Sequence, residues 1–339
     1  MKKGTKIVLL IGILLLALGI TIVKIAHHRG ESFSVGLSNA LSIGSTGSLH
    51  YDQKDYTVLR GGEESFSAKE IKTLRIDWLS GSVSVERWDG KDVIVREKAK
   101  EKLSEDECLR YKLSGGKLTI LPCANEVRNL PEKQLTVLVP QSLVLEDLDV
   151  DSASASVRAL GIEIRDKLTL SAASGSLSLE DCRCAVLSLN SASGSQSVLR
   201  TSVSGDVKAD AASGSFTAEL LDCDALTVKS ASGSQKLSEI ECKALTLSAA
   251  SGSIQSEALL CRSAKVDSAS GSVRLSFDIS PERVKVGTVS GSVTLSFPQG
   301  LGLDLDFDTA SGKLRGEVFY GSLPVEVDTA SGNLTIEYK

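Results

Sequence analysis

The sequence predicts an all-β fold, a single-stranded parallel β-solenoid (β-helix) of about ten rungs of roughly 19–21 residues each, preceded by one N-terminal transmembrane helix. Two observations predict the solenoid. A Ser-Gly turn recurs with a nearly constant spacing, and apolar residues alternate with polar ones on both sides of each turn. A fixed period of about 20 residues is typical of solenoids, whose units bury their apolar sides by stacking on neighbouring units. The structural turn glycines are Gly81, Gly175, Gly194, Gly214, Gly233, Gly252, Gly271, Gly291, Gly312 and Gly332, with Ala155 in the same position one rung before Gly175.

Each rung has the pattern of two short strands joined at the Ser-Gly corner. Leu168 and Leu170 precede Gly175, Leu177 and Leu179 follow it, and the same columns recur in nearly every rung. A period of two residues is the spacing of a β-strand and not of a helix. Because every rung repeats the same direction, we expect equivalent strands to stack in parallel.

Composition and charge narrow the classes of function. The chain has 339 residues and a formal net charge of −5. Residues 1–29 carry five basic residues and no acidic one, so the rest of the chain, its body, has a more negative net charge than the whole chain. An acidic body argues against nucleic acid as a partner, because phosphate binding needs clustered Lys and Arg. The three histidines, His27, His28 and His50, precede the predicted solenoid, which excludes a His-based catalytic triad on it.

The N-terminus carries a candidate membrane anchor. Ile7–Val23 is apolar apart from Gly and Thr21, and basic residues lie on both sides of it. Seventeen helical residues span about 25 Å, which is at the short end of a membrane crossing. We expect an uncleaved single-pass anchor in the cell membrane with the bulk of the chain extracytoplasmic, and the alternative is a cleaved signal peptide.

The composition then changes along the chain in four stages. Residues 1–29 are expected to form a cytoplasmic tail and the anchor, and residues 30–65, rich in Gly and Ser, a flexible stalk. Residues 66–140 contain strand-like segments and are expected to form an N-terminal capping β region, because exposed solenoid ends need a cap. Residues 141–339 form the predicted repeat domain.

The capping region contains a predicted β-hairpin around Gly115-Gly116. Pairing across that turn places Cys108 opposite Cys123, and facing residues on paired strands can satisfy disulfide geometry. A disulfide requires an oxidising location, which an extracytoplasmic protein has. The alternative is two reduced thiols.

Four further cysteines share one position in the repeat. They lie nine residues after their turn glycines, and Val203 occupies that position in the rung between them. Three interpretations remain open: a buried structural ladder in which Cys acts as a small apolar residue, a disulfide between stacked neighbours, or a metal site. A column offers collinear ligands, unlike the tetrahedral cage that zinc prefers. The ladder consists of Cys184, Cys223, Cys242 and Cys261.

The most charged feature of the repeats is a patch of four carboxylates. The column rule places Asp306 beside Glu326 and Asp308 beside Asp328, where stacked like charges are unfavourable. The patch is a weak candidate site for a cation such as calcium, although calcium prefers six or more oxygen ligands, and the alternative is a solvated strand face. No other metal site, catalytic residue or cofactor-binding residue is indicated by the sequence.

The run from Ile71 to Gly81, followed by serial Ser-Ala-Ser-Gly-Ser rungs, resembles the bacterial putative-adhesin β-strand-repeat family, a domain of unknown function. The resemblance covers roughly residues 65–339. It implies a membrane-anchored or secreted envelope protein with a β-solenoid body, and it supplies no catalytic residues. Some members are similar to accessory proteins of envelope-stress signalling or regulation.

Three hypotheses for function follow. The first is an adhesin-like binding or scaffold protein of the bacterial cell envelope that is not an enzyme, needs no cofactor, and holds a cell-wall polymer, glycan or surface protein. The second is an accessory protein of envelope signalling that contacts a membrane partner. The third is a carbohydrate-active enzyme that uses Asp306 or Asp308. The last rung ends at Lys339 without an evident cap, so this end is also expected to be available for pairing.

Overall fold

The computed structural model describes residues 53–125, 127 and 129–339, together with the backbone of two short strands at 42–43 and 49–50. These residues form an all-β parallel β-solenoid of about 10 turns, which confirms the predicted solenoid. They include one 3₁₀ helix, Ala68–Glu70, and no α-helix. The predicted anchor, Ile7–Val23, lies outside the described residues. Within the described part of the chain, no helix is long and apolar enough to cross a bilayer.

The chain divides into two compact units. The N-terminal unit contains the described residues up to Gln196 and Arg200–Ser202, and the C-terminal unit contains Ser197–Leu199 and Val203–Lys339. The strands of the N-terminal unit are β1 (Ser42–Ile43), β2 (Leu49–His50), β3 (Thr57–Val58), β4 (Glu63–Ser67), β5 (Thr73–Trp78), β6 (Gly81–Trp88), β7 (Asp92–Ala99), β8 (Arg110–Ser114), β9 (Lys117–Leu121), β10 (Lys133–Pro140), β11 (Leu145–Ser152), β12 (Ser156–Leu160), β13 (Ile164–Ala172), β14 (Leu177–Glu180), β15 (Arg183–Cys184) and β16 (Val186–Ser191). Strand β17 (Gln196–Val203) contains the boundary.

The strands of the C-terminal unit include three long ones, each of which runs without a break from one Ser-Gly corner to the next. They are β18 (Asp206–Ser213), β19 (Phe216–Ser232), β20 (Gln235–Ser251), β21 (Ile254–Ser270), β22 (Val273–Ser276), β23 (Arg283–Ser290), β24 (Val293–Phe297), β25 (Leu303–Thr309), β26 (Leu314–Arg315), β27 (Leu323–Ser331) and β28 (Leu334–Tyr338).

In the N-terminal unit, parallel ladders run on both sides of the Ser-Gly corner. Before the corner the order is β9, β5, β11, β13 and β16, and after it the order is β10, β6, β12 and β14. Inward-facing residues of successive rungs stack in columns, such as Ile76, Val150, Leu170 and Leu189, all of which are fully buried. Burial of these aliphatic columns, which water would otherwise solvate, is the main contribution to stability.

The first rungs are closed by antiparallel strands. Strand β7 pairs with both β4 and β10, and β8 pairs with β9 around Gly115-Gly116, which confirms the predicted hairpin. The stalk prediction for residues 30–65 extended too far, because β3 pairs with β8, β4 begins at Glu63, and Leu59 is only 1% exposed. The Gly-Gly pair at 61–62 has the composition of a linker, yet both residues have positive φ and connect β3 to β4, each of which pairs with another strand.

In the C-terminal unit the last rung does not lie at the end. The ladder before the corner runs β18, β19, β20, β21, β23, β27 and β25, so that β27 lies between β23 and β25. After the corner, β28 likewise lies between β24 and β26. The expectation that the rung ending at Lys339 is the free one was therefore wrong, because this rung inserts between its two predecessors in sequence.

Candidate functional site

A groove of about 910 Å³ opens where three turns of the C-terminal unit meet. One turn joins β22 to β23 and contributes Ser280–Glu282, and a second joins β24 to β25 and contributes Gln299–Gly302. The third is the loop from β26 to β27 together with the first two residues of β27, and it contributes Phe319–Pro324. The lining is mixed in polarity, with Pro, Gly, Leu and aromatic residues beside Ser, Gln and one Glu.

The insertion of the last rung creates this groove. To enter the space between β23 and β25, the chain must cross the start of β25, and it does so with backbone hydrogen bonds. The N–H of Leu303 donates to the Phe319 carbonyl at 2.7 Å, and the N–H of Gly321 donates to the Leu303 carbonyl at 3.0 Å. The crossing needs Gly302 and Gly321, because a Cβ on Gly302 would lie 2.7 Å from the Cα of Gly321.

The crossing loop presents an aromatic side chain to solvent. Tyr320 is 87% exposed and Phe319 is 44% exposed. The ring of Phe319 lies 4.8 Å from that of Tyr338, and the backbone N–H of Phe319 donates to the Tyr338 hydroxyl at 3.2 Å. These contacts hold the loop at Phe319, next to Tyr320, and the Tyr320 ring itself remains accessible for a ligand.

The polar residues of the groove are held by backbone hydrogen bonds. The N–H of Glu282 donates to the Arg262 carbonyl at 2.6 Å, and the N–H of Gln299 donates to the Lys339 carbonyl at 3.1 Å. Both side chains are exposed. A carboxylate, an amide and an accessible aromatic ring on a fixed backbone can bind a ligand that has both hydroxyl groups and an apolar face.

The acidic patch lies on β25 and β27, at the same end of the C-terminal unit as the groove. The register pairs Asp306 with Glu326 and Asp308 with Asp328. On the other side of β27, Lys285 lies opposite Glu326 and donates to it at 2.5 Å. This hydrogen bond, opposed by partial burial, lowers the pKa of Glu326, whereas burial followed by repulsion from Glu326 raises the pKa of Asp328.

Basic side chains of β23 supply positive charge beside this patch. Arg283 lies 3.5 Å from Glu326 in addition to the Lys285 contact. Among the residues that the structure describes, no group of three or more His, Cys, Asp or Glu side chains could hold a metal ion. Lys285 and Arg283 thus compensate the charge of Glu326, and the candidate cation site at Asp306, Asp308, Glu326 and Asp328 stays a prediction.

The cysteines of the repeats are buried thiols. Cys223 pairs in register with Cys242, and Cys242 with Cys261. Hydrogen bonding to Cys242, followed by burial, raises the pKa of the Cys223 and Cys261 thiols, so both neighbours of Cys242 stay protonated. Cys184, in the other unit, is also buried, and burial raises its pKa to about 12.

The hairpin cysteines are likewise thiols in the structure, and their disulfide stays a prediction. The hairpin register ends at Arg110 opposite Leu121. Cys108 lies in a turn, where its N–H donates to the Ser104 carbonyl at 3.1 Å. Burial raises the pKa of Cys123 to about 11, so this thiol is protonated at neutral pH.

The sequence matches the family described as Toastrack DUF4097 over residues 71–204 and again over residues 200–339. The chain belongs to the Toastrack family. The two matched stretches of this Toastrack chain meet at the place in the sequence where the two compact units divide. A comparison with curated proteins finds no match.

Several solved structures are similar to this Toastrack chain. A putative adhesin from Parabacteroides distasonis is 12% identical, with 84% of this chain and 98% of that chain covered and a TM-score of 0.44. A putative lipid binding protein from the same species is 16% identical, with 83% and 98% covered and a TM-score of 0.41. A putative adhesin from Bacteroides fragilis is 14% identical, with 82% and 96% covered and a TM-score of 0.35.

Two charged clusters in the N-terminal unit of the Toastrack chain were not identified from the sequence. In the first, Arg75 lies 2.8 Å from Asp77 and 2.7 Å from Asp151, and it also contacts Asp149. The side chains of Asp77 and Asp151 are only 2% exposed. In the second, the ammonium group of Lys133 binds the carboxylate of Glu97 at 2.6 Å, with both side chains almost fully buried.

The first cluster leads to a prediction for pH dependence. Burial, followed by repulsion from Asp149, raises the pKa of Asp151 to about 7, so the folded state binds a proton that the unfolded state, with a pKa near 3.9, releases. The contribution of Asp151 to the free energy of unfolding of the N-terminal unit should therefore be fully present below about pH 4. It should fall by on the order of 2–4 kcal/mol as the pH rises through about 7.

This dependence can be measured by urea unfolding at several pH values. Both tryptophans, Trp78 and Trp88, lie in the N-terminal unit, so their fluorescence reports on that unit. The Asp151→Asn variant, which cannot titrate, should flatten the curve between about pH 5 and pH 8. A wild-type stability that rises with pH over this range would contradict the assignment to Asp151.

Proposed function

We propose that this Toastrack chain is an adhesin-like binding protein of the bacterial cell envelope that holds a glycan or cell-wall polymer in the groove. The observation that carries this proposal is Tyr320, 87% exposed beside a groove of about 910 Å³. An aromatic face packs against the C–H groups of a sugar ring, and the hydroxyl groups of the sugar need hydrogen-bond partners, which Glu282 and Gln299 offer.

Binding without catalysis is the role that the lining residues favour. Glycoside hydrolysis commonly uses two carboxyl groups on opposite sides of the scissile bond. The groove is lined by one carboxylate, Glu282. Asp306 and Asp308 of the acidic patch are not among the residues that line it.

The envelope location in this proposal rests on the sequence. The apolar run Ile7–Val23 with its flanking basic residues would anchor the chain in the cell membrane and leave the solenoid extracytoplasmic. A groove on a repeat unit outside the membrane would then meet wall polymer directly.

The test is co-sedimentation of the protein with purified cell-wall polymer. The full chain and a chain that begins at Gly30 should bind the polymer equally, and Tyr320→Ala should weaken binding of both by about tenfold or more, because a central aromatic contact contributes about 1.4 kcal/mol or more. Tyr320→Trp should retain binding, and Val186→Ala, which truncates an exposed apolar side chain of the other unit, is the matched control.

Two results would count against this function. Unchanged polymer binding by Tyr320→Ala would remove the groove as the site. Recovery of a membrane protein by the full chain alone, with no polymer bound by either chain, would instead support the accessory role in envelope signalling.

A further inference from the structure

The strand β25 leaves one side of its backbone without a partner strand. It pairs in register with β27, and the loop residues bond only to Leu303 at its start. The N–H and C=O of Leu303 point away from β27, so by the alternation of a β-strand those of Leu305, Phe307 and Thr309 point the same way. Among the described strands, none runs along this side of β25, which we call the open edge.

The burial of β25 agrees with an open edge. Val325 and Val327, one rung inward, are 1% and 0% exposed. Leu305 and Phe307 lie in the same columns but are only partly buried. Leu314 of β26, at the same end after the corner, is 43% exposed. An additional strand would complete the burial of these apolar side chains.

The outward face of β25 carries three carboxylates. Asp304, Asp306 and Asp308 alternate with the apolar residues, and none has an ion pair within the described part of the chain. These charges disfavour a second copy as the occupant. Two antiparallel β25 strands centred on Asp306 would place Asp306 opposite Asp306 and Asp304 opposite Asp308, and like charges directly opposite each other are destabilising.

The other neighbour of β27 is an example of a strand that neutralises a carboxylate of this ladder. On the other side of β27, β23 carries Arg283 and Lys285 on its outward face and Val284 and Val286 on its inward face. Its basic side chains lie 3.5 Å and 2.5 Å from Glu326, and its valines are buried. Basic residues outward and aliphatic residues inward thus satisfy both faces of this ladder.

We infer that the open edge of β25 binds a β-strand of another protein in which Lys or Arg alternates with aliphatic residues. The partner's backbone would pair with Leu305, Phe307 and Thr309, its aliphatic side chains would cover Leu305 and Phe307, and its basic side chains would neutralise the three aspartates. The inference does not depend on the groove, because Tyr320 is not part of the paired backbone.

The experiment measures binding of a labelled peptide to the full chain by fluorescence anisotropy. The peptide follows residues 283–287 in pattern, with Lys or Arg alternating with Val. Asp306→Lys together with Asp308→Lys should weaken binding by about tenfold or more, because two favourable charge pairs become repulsive. The matched control is Asp222→Lys together with Glu241→Lys, an exposed acidic pair on β19 and β20, whose backbones are already paired on both sides.

A peptide control separates strand pairing from simple charge attraction and uses the wild-type protein. The same peptide with N-methyl groups at alternate residues keeps its charge but cannot pair its backbone, so its binding should be lost. Equal binding of the two peptides, or equal loss in the two double variants, would overturn the inference. Tyr320→Ala should bind the peptide as the wild type does, which distinguishes failure at the edge from failure at the groove.

Discussion

Replacing Lys133 with Met is expected to lower the free energy of unfolding of the N-terminal unit by about 3–5 kcal/mol, because breaking a buried ion pair leaves an uncompensated charge. Lys133 is 1% exposed, and its ammonium group donates to Glu97 at 2.6 Å, to the Glu107 carbonyl at 2.6 Å and to the Pro122 carbonyl. It also lies 5.0 Å from the centre of the Trp78 ring. Methionine fills a similar volume but leaves all three oxygen acceptors without this donor.

The loss should come mainly from the carboxylate of Glu97. Its two oxygens also accept from the N–H of Leu109 at 3.1 Å. This one neutral donor cannot compensate for the negative charge of a buried carboxylate. Adding Glu97→Gln to Lys133→Met removes the charge and keeps an acceptor for Leu109. The double variant should therefore be more stable than Lys133→Met alone.

Urea unfolding followed by tryptophan fluorescence measures these differences. The control is Arg60→Met, which removes the ion pair with Glu105, a contact between two largely exposed side chains at 3.0 Å, and should cost less than about 1 kcal/mol. A Lys133→Met variant as stable as Arg60→Met would show that the buried pair contributes no more than a surface pair.

The sequence predicted the rungs and their register because two periods are superimposed in it. The period of two residues assigns side chains to faces, and the period of about 20 residues assigns residues to columns. The same column rule places Arg75 beside Asp149 and Asp77 beside Asp151, since these pairs lie at equal distances before Gly81 and Ala155. The buried charged cluster was thus present in the sequence, although it was not identified there.

The order of the last rungs could not be predicted in this way. Strands β25 and β27 carry the same alternation of acidic and apolar residues, so either could lie next to β23 with the same columns satisfied. The groove depends on the crossing that this order imposes. Lys133 was missed for a similar reason, because the antiparallel strand β7 that brings Glu97 to it is a tertiary contact without a local pattern.

Replacing a central turn glycine is expected to have an effect as large as loss of the buried ion pair. Gly252 has a φ of +127°, a conformation that L-residues with a side chain rarely adopt. A Cβ at this position would lie 2.3 Å from the carbonyl oxygen of Gly233 in the preceding rung. The contact is with backbone, so relief requires the rungs to move apart and to weaken the hydrogen bonds between them.

Gly252→Ala should therefore destabilise the C-terminal unit by about 3–5 kcal/mol, combining backbone strain with overpacking, each of which costs roughly 1–3 kcal/mol. Because Gly271 repeats the contact, with a Cβ that would lie 2.2 Å from the Gly252 carbonyl, the same result is expected at Gly271. Circular dichroism during urea unfolding measures the change, with Ser251→Ala, an exposed neighbour in the same turn, as the control. Equal stability of Gly252→Ala and Ser251→Ala would mean that the rungs can separate at the corner without cost. The regular recurrence of glycine at successive corners would then need a reason other than close stacking.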